Sequence, residues 1–454
     1  MVINNNVAPL GARDIALKAI EAYRRKKVWP DFLLKTFFEK YNIPQKDIAL
    51  IWRIVGGVIQ NMMLLDYYIN FYSNIPLNKI HPTARDILRL SFYQIIFLDK
   101  IPYSAAVNQG VELAKKYLNP SAVKFVNAVL RKTAKDKQDN CLPEVKADTD
   151  LEKLSIKFSH PKWLVDEFIR ALGIDETEAL LEMNNSDEVA VFAQVNTLHA
   201  VADDVFRTLK DNDIDVVSHE WLEDCFELRG AGDVTKLSAF RDGLVYVQDP
   251  ASRLAIVASG VKSGDLVIDA CSAPGGKAFA AAIAMEKCGK ILAYDNKLSK
   301  VQEIKRGAAR LGIDIIKASQ KDSTETADEL IGVADVVLAD VPCSGFGVIR
   351  KKPEIRYKSK ESIIGLPEKQ LQILSNVAKY VKPGGVLLYS TCTVLKCENE
   401  DVVSSFLQVN SDFSAEGFAL SETLNAPAGM ITLWPHRNKT DGFFMCKLRR
   451  NTDI

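Results

Sequence analysis

From Asp242 onward, short apolar runs alternate with stretches of helical periodicity. Such a chain has little choice but a largely parallel sheet with helices on both faces. Strands are predicted at Leu266–Asp269, Lys290–Asp295, Asp314–Ala318, Asp335–Asp340 and Gly385–Cys392, with late ones at Met430–Trp434 and Phe443–Leu448. Helices are predicted at Lys277–Met285 and Ser299–Leu311. In open sheets of this kind ligands sit beyond the carboxyl ends of the strands. Two of those ends carry unusual chemistry. Val336-Val337-Leu338-Ala339 is apolar throughout, as suits a strand buried on both faces, and it runs into Asp340-Val-Pro-Cys343-Ser-Gly345. Forty-nine residues after Cys343, the run Val386–Tyr389 ends in Ser390-Thr391-Cys392. Two thiols and a carboxylate are thereby expected in one crevice.

The rest of the chain differs in pattern and in charge. Residues 1–140 carry 21 Lys+Arg against 11 Asp+Glu, residues 141–240 carry 9 against 22, and residues 241–454 carry 28 against 25. The net charge of zero thus hides a basic part of +10 and an acidic part of −13. With 454 residues, two or three domains are expected. Residues 1–140 read as all-α, with helices at Ala12–Tyr23, Ile48–Leu65, Thr83–Leu98, Ser104–Tyr117 and Ser121–Thr133. Residues 141–240 read as a small α/β linker module, with helices near Pro161–Leu172, Thr177–Asn184 and Ala200–Asn212 and strands near Val189–Val195, Val216–Ser218 and Cys225–Leu228. Residues 241–454 form the Rossmann-like α/β domain. The run Arg24-Arg25-Lys26-Lys27 closes the first helix, where it complements the helix dipole and can meet phosphate.

No run of about eighteen apolar residues exists, so no membrane span is expected. The start, Met1-Val-Ile-Asn-Asn-Asn, lacks the regions of a signal peptide. The eight cysteines form no CxxC pair, which fits reduced thiols in a cytoplasmic protein. The histidines His81, His160, His199, His219 and His436 show no ligand spacing, so no metal is expected. Cys141, Cys225, Cys288, Cys397 and Cys446 read as packing or incidental, and a monomer is expected.

The turn Ala270-Cys271-Ser272-Ala273-Pro274-Gly275-Gly276 joins the first strand to its helix. Its glycines permit close backbone approach, and the helix N-terminus offers unpaired N–H donors. Asp295 ends the second strand, nineteen residues after Gly276, where an acidic residue holds ribose hydroxyls in dinucleotide folds. Asp322, just past the third strand, can reach an adenine or a neighbouring loop. Together these favour an adenosine-containing ligand. S-adenosyl-L-methionine suits better than NAD, because GxGxxG is absent and two thiols stand elsewhere.

A thiolate is a strong nucleophile near neutral pH. Carbon 5 of a pyrimidine accepts a methyl group once a thiolate has added to carbon 6, and a carboxyl at ring nitrogen 3 stabilises the charge that develops. Asp340, Cys343 and Cys392 supply those groups. The plainer alternative is that both cysteines are small buried hydrophobes. Val348-Ile-Arg350-Lys351-Lys352-Pro353, with Arg356 and Lys358, places five cations after the Pro-Cys turn and suits an entering RNA strand.

Cys271-Ser-Ala-Pro-Gly-Gly-Lys277, Asp340-Val-Pro-Cys-Ser-Gly345, Ser390-Thr-Cys392 and Thr440-Asp-Gly-Phe-Phe444 resemble motifs of the Sun family of RNA cytosine-5 methyltransferases. Ala106-Val-Asn-Gln-Gly-Val-Glu112 and Phe125-Val-Asn-Ala-Val-Leu-Arg131 resemble the NusB-like RNA-binding domain fused in front of the bacterial branch that acts on 16S ribosomal RNA. The resemblance implies that Cys271–Lys277 binds the methionine part of S-adenosylmethionine, Asp295 the ribose, and Asp322 lies by the adenine. It also implies that Asp340 sits between cofactor and target base, Cys392 attacks, and Cys343 assists release. The residues alone leave the two thiols exchangeable; the Ser-Thr-Cys motif tips the choice. Gln194 stands where the family usually has arginine, which puts RNA contact by that segment in doubt. The implied substrate is an unpaired or flipped cytidine. Competing readings are a transfer-RNA enzyme of the same family, a non-catalytic ribosome-assembly factor, and an amino-group methyltransferase. The last needs a Pro-Pro-aromatic turn that Val341-Pro342-Cys343 does not supply.

Overall fold

The computed structural model describes residues 10–26, 30–40, 43–186 and 189–452. The N-terminal hexapeptide and Lys27 of the basic run lie outside them. By contact the chain divides into two compact units, one of Met1–Asn185 with Lys352–Tyr357, the other of Ser186–Lys351 with Lys358–Ile454.

The first unit is helical. Helices at Ala12–Lys26, Gln45–Gln60, Met62–Tyr72, Tyr103–Tyr117 and Pro120–Gln138 share one core with Pro82–Phe97. Pro82–Phe97 is buried on nearly every face, so its polar side chains need partners. Asp86 accepts from Arg24 at 2.6 Å and Arg89 at 3.2 Å, Arg89 also reaches Asp66, and Gln94 accepts from Arg13. Arg24 of the basic run is therefore an ion-pair partner of a buried carboxylate.

The single helix expected over Ile48–Leu65 is two, bent by 78° at Asn61. The Asn61 amide donates to Gly57 O, the local side-chain bonding that competes with helix continuation. No single helix among the described residues is long and apolar enough to cross a membrane. Helices Asp150–Lys157, Lys162–Leu172 and Ile174–Asn184 complete this part of the chain.

The second unit holds two principal sheets. Strands β1 (Val191–Val195), β2 (Asp215–Ser218), β3 (Cys225–Arg229) and β4 (Val245–Val247) form an antiparallel sheet in the order β2-β3-β1-β4. Gln194 is fully buried in it, and its amide donates to Gln248 O and Cys225 Sγ. The residue that stands where the resembled family has arginine is thus interior.

The larger sheet contains β5 (Leu266–Asp269), β6 (Lys290–Asp295), β7 (Ile316–Gln320), β8 (Ala334–Asp340) and β9 (Val381–Thr391), parallel in the order β7-β6-β5-β8-β9. Two short strands, β10 (Phe413–Ala415) and β13 (Met430–Leu433), pair antiparallel with β14 (Phe443–Arg450), which lies antiparallel beside β9; β11 (Phe418–Ala419) and β12 (Asn425–Ala426) make a separate hairpin. Helices Gly276–Ala284, Leu298–Arg310 and Leu366–Ala378 connect the parallel strands. This is the expected fold class, an all-α part, a small α/β module and a Rossmann-like domain. Strand order turns around between β5 and β8, the switch point where such sheets bind ligands.

Candidate active site

Beyond that switch point lies a cleft of about 240 Å³ whose lining includes Cys271, Asp295, Asp322, Asp340, Cys343 and Cys392. Sequence-adjacent strand ends explain the convergence. β8 and β9 run in register, Asp340 opposite Ser390, so the residues just beyond each face the same space. A wider cleft of about 540 Å³ on the helical unit is lined by mixed charges such as Arg13, Asp14, Glu112 and Lys116 and has no comparable chemistry.

The turn after β5 is fixed by backbone bonds. Ala270 N–H donates to Leu338 O, Ser272 N–H to Tyr294 O and Gly275 N–H to Ser272 O; the Ala273–Pro274 peptide is cis. Gly275 has φ +111°, and a Cβ there would lie 2.4 Å from the Phe279 ring, so only glycine fits. Asp269, the last residue of β5, is fully buried, and its carboxylate makes only weak contacts, with the Ser272 hydroxyl and the Cys271 N–H, that do not offset its burial. Burial pushes its carboxyl up to about 7. A buried, unpaired carboxylate beside a glycine turn fits the ammonium of an amino-acid ligand. Asp295 is buried at the end of β6, where Oδ1 accepts from Lys297 N–H. Asp322 stands at the rim, its carboxyl held below the usual range by the Thr324 N–H and hydroxyl. The Cys271 thiol is raised to about 12, first by burial and then by nearby carboxylates, so it is not a nucleophile.

Lys277 belongs to the same turn by sequence, but its side chain leaves it. Nζ donates to Asp340 Oδ2 at 2.8 Å and Ser252 Oγ at 2.9 Å, and lies 5.0 Å from the Phe443 ring centre. Asp340 Oδ1 accepts from Ser390 Oγ at 2.9 Å. The two thiols are 3.3 Å apart. They are not equivalent. The hydrogen bond to Cys392, burial, and the carboxylates Glu398 and Asp340 push the Cys343 thiol well above its usual range. The bond from Cys343, together with the Lys277 ammonium, lowers Cys392 against the opposing pull of burial and Asp340. The Lys277 ammonium thus favours the charged form at Cys392, and the Glu398 and Asp340 carboxylates disfavour it at Cys343.

Gly347 locks this corner. Its N–H donates to Cys392 O, its C=O accepts from Gly442 N–H, and a Cβ on it would lie 1.8 Å from Gly442 O.

Residues 257–449 match a family described as 16S rRNA methyltransferase RsmB/F, residues 10–135 the NusB family, and residues 160–235 a ferredoxin-like domain of RsmF/B-like methyltransferases. The probable ribosomal RNA small subunit methyltransferase B of Bacillus subtilis is 34% identical over 447 residues, covering 96% of this chain and 98% of its own. The chain belongs to the 16S rRNA methyltransferase RsmB/F family. The protein of the same description from Synechocystis is 31% identical, with 97% of this chain and 100% of its own covered. The crystal structure of PH0851 superposes with a TM-score of 0.78 at 27% identity, over 98% of this chain and 99% of that one.

In this RsmB/F family member the five cations after the Pro-Cys turn do not form the exposed strip that their sequence suggested. Lys351 is held between Asp249 and Asp441, at 2.8 Å from each. Lys358 Nζ donates to Ser344 O at 2.6 Å. Arg356 is fully buried in the helical unit, where its guanidinium donates to the carbonyls of Gln60, Phe158 and Asn184 and to Asn185 Oδ1, and burial lowers it to about 10. The physical reason is that three of the five, Lys351, Arg356 and Lys358, found acceptors in their own fold; Lys352 is exposed. Sequence reasoning also passed over Asp269, Asp249, Asp441, Ser390 and Glu398. Asp269 alone had a local signal, as the last residue of a strand entering a glycine turn. Of the cysteines read as packing, Cys225 and Cys446 are buried, while Cys141, Cys288 and Cys397 are exposed.

Proposed function

We propose that this chain methylates carbon 5 of a cytidine in 16S ribosomal RNA, using S-adenosyl-L-methionine and a covalent adduct of Cys392 with carbon 6 of the base. The observation that carries the reading is the pair of thiols 3.3 Å apart at the ends of β8 and β9, in one cleft with Asp340. Family membership supports a ribosomal RNA substrate, and the NusB match supports RNA binding by the helical part.

Residues of the turn Cys271–Lys277 with Asp269 would hold the amino-acid end of the cofactor, Asp295 the ribose, and Asp322 would lie by the adenine. When bound, S-adenosylmethionine supplies an electrophilic methyl group. The protein's own groups do the rest. Cys392, lowered by its neighbours, adds to carbon 6. Asp340, oriented by Lys277 and Ser390, stabilises charge at the pyrimidine edge. Release then requires a base to take the carbon 5 proton as the bond between Cys392 and carbon 6 breaks, and Cys343, 3.3 Å from Cys392, is placed to assist it.

The test is a denaturing gel of enzyme, 16S ribosomal RNA and S-adenosylmethionine with wild type, Cys343→Ala and Cys392→Ala. Cys343→Ala is expected to accumulate a slow-migrating protein–RNA adduct, and Cys392→Ala to give neither adduct nor 5-methylcytidine. An adduct with Cys392→Ala alone reverses the two roles. Methyl transfer by Cys392→Ala at the wild-type rate removes the covalent reading altogether.

A further inference from the structure

Behind the thiols lies a charged group that the chemistry above does not use. Glu398 is fully buried, an expensive place for a carboxylate. It sits on the loop that follows Cys392. Its Oε2 accepts from the backbone N–H of Ser344 at 2.8 Å and from Gln370 Nε2 at 2.9 Å, and its Oε1 accepts from the Ser344 hydroxyl. Gln370 donates also to Pro342 O at 3.0 Å. The bonds therefore bracket Cys343 on both sides, at Pro342 and Ser344. Ser344 Oγ lies 2.9 Å from Thr393 Oγ1, next to Cys392. The Glu398 backbone is itself pinned, its carbonyl accepting from Tyr389 OH at 2.6 Å.

The members of this network, Ser344, Gln370, Thr393 and Glu398, are all fully buried, so water does not contribute to holding the loops. An aliphatic side chain would fill the space, but it would leave the Ser344 N–H without an acceptor. A carboxylate satisfies a backbone N–H, a hydroxyl and an amide at once, and such charge-assisted bonds are roughly twice as strong as neutral ones.

We infer that Glu398 is a positioning residue: its carboxylate clamps the Pro-Cys loop to the loop carrying Cys392 and thereby sets the two sulfurs in contact. Its role in turnover rests on the covalent reading proposed above, whereas the clamp itself is a statement about geometry.

Two assays on the full-length protein test this. The first needs neither RNA nor cofactor. Diamide is added, and the Cys343–Cys392 disulfide is mapped by peptide mass spectrometry; as the S–S bond forms, the two thiol hydrogens pass to the two diamide nitrogens. Glu398→Gln, which keeps the size but turns a donor towards donors, is expected to slow this cross-link about tenfold, as a small misplacement does for any reaction between two held groups. The second is the adduct gel. Glu398→Gln is expected to lower turnover about 100-fold with little change in KM for RNA, and to accumulate the adduct as Cys343→Ala does. Loss of stability alone would not build up a covalent intermediate.

Cross-linking at the wild-type rate overturns the inference. A slowed cross-link with no adduct in any variant, Cys343→Ala included, upholds the clamp and sinks the covalent reading. Should Glu398→Gln fail to fold, Ser344→Ala removes one donor and keeps the carboxylate; it is expected to slow cross-linking about threefold, and a wild-type rate there overturns the clamp equally.

Discussion

Each unit buries a cluster of charges, and the two clusters differ in one respect. In the helical unit both oxygens of Asp86 are taken, by Arg24 and Arg89, and Arg89 has Asp66 as a second partner. In the sheet unit Asp269 is just as deeply buried, yet it has no cation bonded to it and only weak contacts with Ser272 and Cys271. Burial raises both carboxyls. What distinguishes them is satisfaction. Acids met by arginines specify packing. A weakly bonded one at the end of a strand, leading into a turn that lines the thiol cleft, is what a ligand site calls for.

Asp86→Ala strips the closed cluster of its centre and is expected to destabilise the helical unit by about 3–5 kcal/mol, the largest of these effects. Thermal melting and amide exchange across Pro82–Phe97 read it, while the diamide cross-link between Cys343 and Cys392 stays unchanged. A negligible loss of stability would mean that the closed cluster, too, is dispensable, and the comparison breaks.

Asp269→Asn is the converse case. The folded carboxyl, at about 7, lies above its unfolded value of 3.8. Between those values the unfolded state binds fewer protons, so stability falls as pH rises through the window. The asparagine variant escapes that loss. It is expected to equal wild type near pH 4 and to exceed it near pH 8 by on the order of 3 kcal/mol. Denaturant midpoints at the two pH values decide it. S-adenosylmethionine binding by calorimetry is expected to weaken in the same variant, and equal stability at both pH values would show that Asp269 is already satisfied.

Lys277→Met is the smallest change. Lys277 contributes to the lowered Cys392 thiol, but the bond from Cys343 contributes more. Alkylation of Cys392 by iodoacetamide is expected to move to higher pH and to slow about tenfold near neutrality. An unmoved profile would assign Lys277 to Asp340 alone.

The parallel strands were legible because their apolar runs are unbroken and end on charged residues. β5 and β6 have the predicted ends, and Cys343 and Cys392 emerge at the two strand ends where they were expected. The helix break at Asn61 was not legible, since the apolar period continues through it. The short strand Val245–Val247 and the helices Pro30–Lys40 and Pro250–Ser259 also lacked a pattern strong enough to separate them from their neighbours. Charges were the least legible of all. A sequence displays the cations of 350–358 in a row but not their acceptors, which come from Asp249, Asp441, Ser344 and, for Arg356, four groups between Gln60 and Asn185. Glu398 was hidden for the same reason: its three donors come from Ser344 and Gln370, distant in sequence.

Arg356 gives the first unit an unusual timetable. The acceptors it serves end at Asn185, 171 residues before it. A ribosome adding residues at ordinary rates releases Asn185 roughly 10–30 s before it has made Arg356. During that interval the carbonyls of Gln60 and Asn184 and the Asn185 side-chain oxygen still lack the Arg356 donor, while the Phe158 carbonyl already has His160 and Asn185 as partners. The N-terminal part of this chain is therefore made first and completed late, only after the segment bearing Asp340 and Cys343 has itself been synthesised.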